Sequence, residues 1–111
     1  EVHGNETQEL PNIKAMMDIA THPNATVCWN CNPEDLIGEG LAYNFNLVKD
    51  RFGDTVHVRE LDDISYPYAQ LMQLFLQMNY KGWILLECRT SPPDRVQALA
   101  EQRRIFERLT S

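Results

Sequence analysis

No stretch of this chain approaches the roughly 18 consecutive apolar residues of a membrane-spanning helix, and its first residues lack the layout of a secretory signal peptide. Low-complexity tracts are absent as well. Positive charge is scarce, with 10 Lys and Arg against 16 Asp and Glu and a net charge of −6. That balance argues against binding that depends on neutralising nucleic-acid phosphates. The expectation is a cytoplasmic protein with no nucleic-acid and no membrane partner. Cysteine is sparse and odd in number, three in all, and Cys28 and Cys88 sit in or beside apolar runs. Reduced, buried thiols are expected rather than a disulfide framework. Cys28 and Cys31 have CxxC spacing, but no second CxxC completes a zinc site. Redox use of the pair would need an exposed thiol at a helix N-terminus, whereas Cys28 falls inside a strand-like run.

What is present is ordinary globular material: 111 residues, 43% apolar and 23% charged, enough for one domain with a modest core. Helical and strand patterns alternate. Ile13, Met16, Met17 and Ala20 repeat at helical spacing after Pro11, and His22-Pro23-Asn24 breaks that helix. Ala25 to Trp29 reads as a buried parallel strand. Leu41, Phe45, Val48 and Phe52 mark a second helix face with Gly53 as its stop. Thr55 to Val58 is a strand, Leu71, Leu74, Phe75 and Met78 a helix, and Trp83 to Leu86 the clearest strand. Ser91-Pro-Pro-Asp94 opens a last helix carrying Val96, Leu99, Phe106 and Leu109. Strands separated by helices imply parallel pairing through right-handed crossovers. With Glu1 as the tail of a fourth strand, three complete strands leave open edges. The expected architecture is therefore part of a larger barrel or sheet.

Four polar residues recur along this pattern: Glu1, Asn30, His57 and Glu87, separated by 29, 27 and 30 residues. Each interval is about one strand-loop-helix-loop unit. Residues at the same end of successive parallel strands share one rim, where α/β barrels hold their active sites. His3, Asn32, Arg59 and Arg89 follow two residues after each, on the same side of an extended chain. Two carboxylates, an imidazole and an amide oxygen on one rim suit a metal or an acid/base site. For His57 the competing reading is a satisfied core histidine. Arg59 and Arg89 read equally as a clamp on an anionic group or as rim salt bridges to Glu60, Asp62 or Asp63. Trp29 suits sugar stacking or core packing.

Glu1-Val-His3-Gly4, Val27-Cys-Trp29-Asn30, Val56-His57-Val-Arg59 and Gly82-Trp83-Ile-Leu-Leu-Glu87, with Tyr66-Pro67-Tyr68 before the third helix, resemble the sugar phosphate isomerase/epimerase superfamily. That superfamily is built on the xylose isomerase-like TIM barrel. The resemblance implies an α/β fold of alternating βα units with parallel strands, in which residues 1–111 form one partial domain. This would be the C-terminal half of the barrel, the region of strands 5 to 8. It further implies a divalent metal (Mn²⁺, Mg²⁺ or Co²⁺) held by Glu1, Asn30, His57 and Glu87, with Glu1 and Glu87 as catalytic acid and base. His3, Asn32, Arg59 and Arg89 would contact a sugar or sugar phosphate. The activity would be isomerisation or epimerisation in carbohydrate metabolism. The protein would work as a homo-oligomer or assembled with a missing N-terminal half. Two positions depart from the pattern. Asn30 stands where the superfamily has Asp, which removes a charge and weakens metal binding. Pro33 stands where it has a histidine. Those departures also fit another class, a non-catalytic binding or assembly module with a degenerate metal site.

Overall fold

The computed structural model describes all residues, Glu1–Ser111. Helix α1 (Leu10–Ile19) carries proline in its first turn, where a missing N–H costs no hydrogen bond. It sinks Leu10 and Ile13 into the core and leaves Met16 and Ile19 exposed. Helix α2 (Leu41–Val48) buries Leu41, Asn44, Phe45 and Val48. The expected helical face stops short of Phe52, because the chain tightens into a 3₁₀ turn over Lys49–Arg51. Gly53 is required by close approach rather than as a helix stop: a Cβ there would lie 2.5 Å from Thr26 Oγ1. Helix α3 (Tyr68–Gln77) buries Tyr68, Leu71, Met72 and Phe75, the i, i+3, i+4, i+7 stripe of an amphipathic helix. Asp94 caps α4 (Arg95–Thr110), its Oδ1 accepting the Gln97 N–H at 2.9 Å. No residue of α4 is fully buried; Ile105, Phe106 and Leu109 lean on the core, while Val96 and Leu99 are exposed. No helix is long and apolar enough to cross a membrane.

Strands β1 (Thr55–Val58) and β2 (Trp83–Leu86) pair in parallel, with His57 opposite Leu85. Val56 and Val58 face the helices and are buried, whereas Trp83 and Leu85 on the opposite face stay exposed. Beside β1 runs the Ala25–Trp29 segment, joined to it by the His57 N–H donating to Trp29 O at 2.8 Å and, ahead of the strand, by an isolated bridge between Val27 and Phe52. Val2 in turn donates its N–H to Cys28 O at 3.0 Å.

The expected half-barrel is thereby corrected. The protein is a small α/β domain with four α-helices and a two-stranded parallel sheet, and no half of a TIM barrel is evident. The backbone bonds show why the third strand fails. Val27 bonds Arg51 O and Gly53 N–H, but two residues later Trp29 O takes the N–H of His57. A regular parallel ladder would advance two residues on both chains; here one side advances by two extra residues. The slip interrupts the ladder, and at Glu1–Val2 a single backbone bond builds no strand.

Candidate metal centre and acid/base site

Although the ladder is short, the four extended segments lie side by side and bring their terminal polar residues together. One oxygen or nitrogen from each of Glu1, His57 and Glu87 falls within 4.8 Å of the others. His57 is carried by β1, Glu87 follows β2 directly, and its N–H is pinned to Val58 O at 2.8 Å. Asn30 is fully buried, and its Nδ2 donates to Glu1 Oε1 at 3.0 Å. That bond fixes which way the amide faces, since a carboxylate can only accept. His57 Nδ1 lies 3.5 Å from the same Glu1 oxygen without hydrogen-bonding to it.

The residues present fit a divalent cation. Asn30 Oδ1 and His57 Nδ1 are both buried without a hydrogen-bond partner, an arrangement that ordinarily costs about 1–3 kcal/mol per group. His57 Nδ1 clusters with the carboxylates of Glu1 and Glu87, while Asn30 touches Glu1 through its amide nitrogen; both carboxylates stay about half exposed and so open to a ligand. Carboxylate, imidazole and amide oxygen together suit Mn²⁺, Mg²⁺ or Co²⁺ better than a soft thiolate-loving ion.

The remaining expected site residues divide. Arg59 is buried, donates from Nε to Cys31 O at 3.1 Å and places Nη1 3.5 Å from Glu87 Oε2. It braces the carboxylate of Glu87 from below. Asn32 is buried too, and its Nδ2 is spent on Val2 O at 2.8 Å and Asn30 O at 3.3 Å. It ties the Glu1 segment to the Asn30 segment. His3 and Arg89 are exposed. Trp29 is wholly buried edge-on against Phe45 and Phe52, with ring centroids 5.5 and 6.0 Å away, so it packs the core.

Beside the rim opens a cleft of about 720 Å³, bordered by the basic Arg59, Arg89 and Arg95 and by the acidic Glu60, Asp62, Asp63 and Glu101. The side chains of Arg89 and Arg95 form no ion pair. The backbone N–H groups of Arg89 and Thr90 and the Thr90 hydroxyl all donate to Glu60 Oε1 at 2.7–2.9 Å. Partial burial alone would raise the Glu60 carboxyl, but these bonds together hold it below the usual range. An anion-holding turn after β2 is thus already filled by the protein's own carboxylate.

Beneath the rim lies a group that sequence reasoning missed. Asp35 is fully buried in a 3₁₀ turn (Pro33–Leu36). Its Oδ2 accepts from Tyr66 Oη at 2.6 Å and from Asn32 N–H at 2.9 Å, while Oδ1 has no partner. Burial pushes its carboxyl up to about 7 against the pull of Tyr66, Asn32 and Arg59. The Asn32-Pro-Glu-Asp35 spacing, a polar cap followed three residues on by a reaching carboxylate, was the available signal. The CxxC thiols point away from redox use. Burial drives Cys31 up to about 12 and raises Cys28, the reverse of an activated thiolate.

No family model, curated protein or solved structure matches the chain.

Proposed function

We propose that the protein is a metal-assisted isomerase or epimerase, transferring a proton at the carbon beside the carbonyl of a sugar or sugar phosphate. The observation that carries this reading is the convergence of Glu1, His57 and Glu87 within 4.8 Å, with His57 Nδ1 buried and without a hydrogen-bond partner. Glu1, Asn30, His57 and Glu87 would hold the ion, which when bound supplies Lewis acidity to adjacent substrate oxygens. The chain's own residues do the rest. Glu1 and Glu87 reach the rim from separate segments and serve as the acid and base pair. Arg59 orients Glu87, and the Asn30 amide orients Glu1. Arg89 and Arg95 border the adjoining cleft and offer guanidinium groups to an anionic substrate group.

Solvent deuterium tests this. With Mn²⁺ and a panel of ketose and aldose phosphates, label should enter the carbon next to the carbonyl, and Glu87→Gln should abolish its entry. Undiminished exchange in E87Q would remove Glu87 as the base.

One observation favours a second reading, a binding module with a degenerate metal site. Both carboxylates are already engaged, Glu1 by Asn30 and Glu87 by Arg59. Metal binding without exchange on any substrate of the panel would select it.

A further inference from the structure

A parallel sheet ordinarily has both faces covered, yet here Trp83 is 73% exposed and Leu85 41%. Only β1 borders β2, so the other edge of β2 is open. The N–H groups of Trp83 and Glu87 point at β1, bonding Asp54 O and Val58 O. Alternation along the strand turns the N–H and C=O of Ile84 and Leu86 outward, toward the open edge. Such an edge pairs readily with another strand unless charge, proline or a bulge protects it, and Trp83-Ile-Leu-Leu86 has none of these.

The accessible surface is 7173 Å², whereas a compact monomer of this mass exposes about 6,300 Å². The excess is close to the ~800 Å² that each partner buries in a standard interface.

We infer that two copies of the chain associate through the open edge of β2, paired antiparallel about a two-fold axis at Ile84. The pairing rests on the open edge and its exposed face. It shares one residue, Glu87, with the proposed site, so amide exchange at Ile84 and Leu86 is the readout that does not depend on the rim. The sequence selects both the occupant and the register. Antiparallel pairing centred on Ile84 sets the outward Ile84 groups of both copies against each other and Leu86 against Gly82. On the uncovered face, Trp83 of one copy then meets Leu85 of the other, and Lys81, just before the bend at Gly82 from which β2 starts, comes near Glu87. Apolar faces apolar and cation faces anion, twice over by symmetry. Moving the axis one residue, to Leu85, would instead oppose Lys81 to Arg89 and Trp83 to Glu87. Lys81 is exposed and forms no ion pair within its own chain. In the dimer it stands beside the rim of the other copy, next to a candidate site carboxylate.

Sedimentation equilibrium from ~1 µM to ~1 mM chain should show a monomer–dimer equilibrium ending at twice the 12.9 kDa chain mass. At low salt, Lys81→Glu alone and Glu87→Lys alone should each weaken association about 10-fold or more by opposing like charges. Mixing K81E with E87K should restore a dimer, because one ion pair is re-formed with its sign reversed and the other keeps its native sign. Circular dichroism checks that each variant is folded. A reading that needs no variant is amide exchange in the native chain, where Ile84 and Leu86 should be protected at high concentration and lose protection on dilution. A native chain that stays monomeric throughout, a dimer indifferent to K81E, or a mixture no better than its components would each overturn the inference.

Discussion

Asp35→Asn is the perturbation whose outcome follows most directly from the geometry. The carboxyl is fully buried, takes two hydrogen bonds on Oδ2 and leaves Oδ1 bare. In the folded chain it holds its proton up to about pH 7, whereas in the unfolded chain it releases it near ~3.9. Between those limits the unfolded state binds fewer protons, so stability falls as pH rises. The contribution of Asp35 is fully present below about pH 4 and lost above about pH 7. Three pH units at about 1.4 kcal/mol each bound the loss at about 4 kcal/mol. An asparagine cannot ionise, so D35N should lack this slope. Near pH 4 it should match the native chain, and near ~7.5 it should be the more stable of the two by up to that amount. Urea unfolding of both proteins at about pH 4.5, 5.5, 6.5 and 7.5 measures the difference. Subtracting one curve from the other cancels the depressed carboxylates Glu60 and Asp63, whose contributions are lost as pH falls. Parallel curves for the two proteins, or a native chain that gains stability relative to D35N as pH rises, would refute the reasoning.

Two further outcomes follow from burial. Trp29→Ala removes a fully buried ring packed edge-on against Phe45 and Phe52 and should cost about 3–5 kcal/mol of folding stability, read by thermal melting. A near-neutral W29A would mean that the ring is not packed as described. Iodoacetamide under native conditions should label exposed Cys88 and spare Cys31, which is buried and pushed up to about 12, as intact-protein and peptide mass spectrometry would show. Equal labelling of both would contradict that burial.

Helices and rim were legible in the sequence for a common reason: both are written in spacing. Leu41, Phe45 and Val48, or Leu71 and Phe75, place apolar groups on one face whatever surrounds them. Glu1, Asn30, His57 and Glu87 recur at the interval of one structural unit; Glu1, His57 and Glu87 come within 4.8 Å of one another, and Asn30 hydrogen-bonds Glu1. Ladder pairing is not written in spacing. The apolar run from Ala25 to Trp29 reads the same whether it is fully paired or joined at single points, and the two-residue slip that prevents a third strand is a tertiary event. Asp35 was missed because a lone acid in a polar turn looks solvated; its burial depends on Tyr66, which arrives from 31 residues away. The expected face of α4 is only half realised, since Phe106 and Leu109 pack on the core while Val96 and Leu99 stay exposed. Arg59 reads from sequence equally as a clamp on an anion or as a rim salt bridge to Glu60, Asp62 or Asp63, and only the fold shows its guanidinium tied to Cys31 O and Glu87.

Asn30 is the one residue of the rim at which charge and geometry pull apart. Its amide steadies Glu1, where an aspartate would set two carboxylates together. Asn30→Asp should therefore lower stability without metal and tighten metal binding when Mn²⁺ is added, and a variant unchanged in both respects would contradict this role.

The most direct test of the account is calorimetric titration of the native chain with Mn²⁺ beside His57→Ala. The native chain should bind one ion per chain at or below ~1 mM, with an affinity that falls about 10-fold or more in H57A. Failure of the folded native chain to bind at that concentration, or equal binding by H57A, would contradict a metal centre at Glu1, His57 and Glu87.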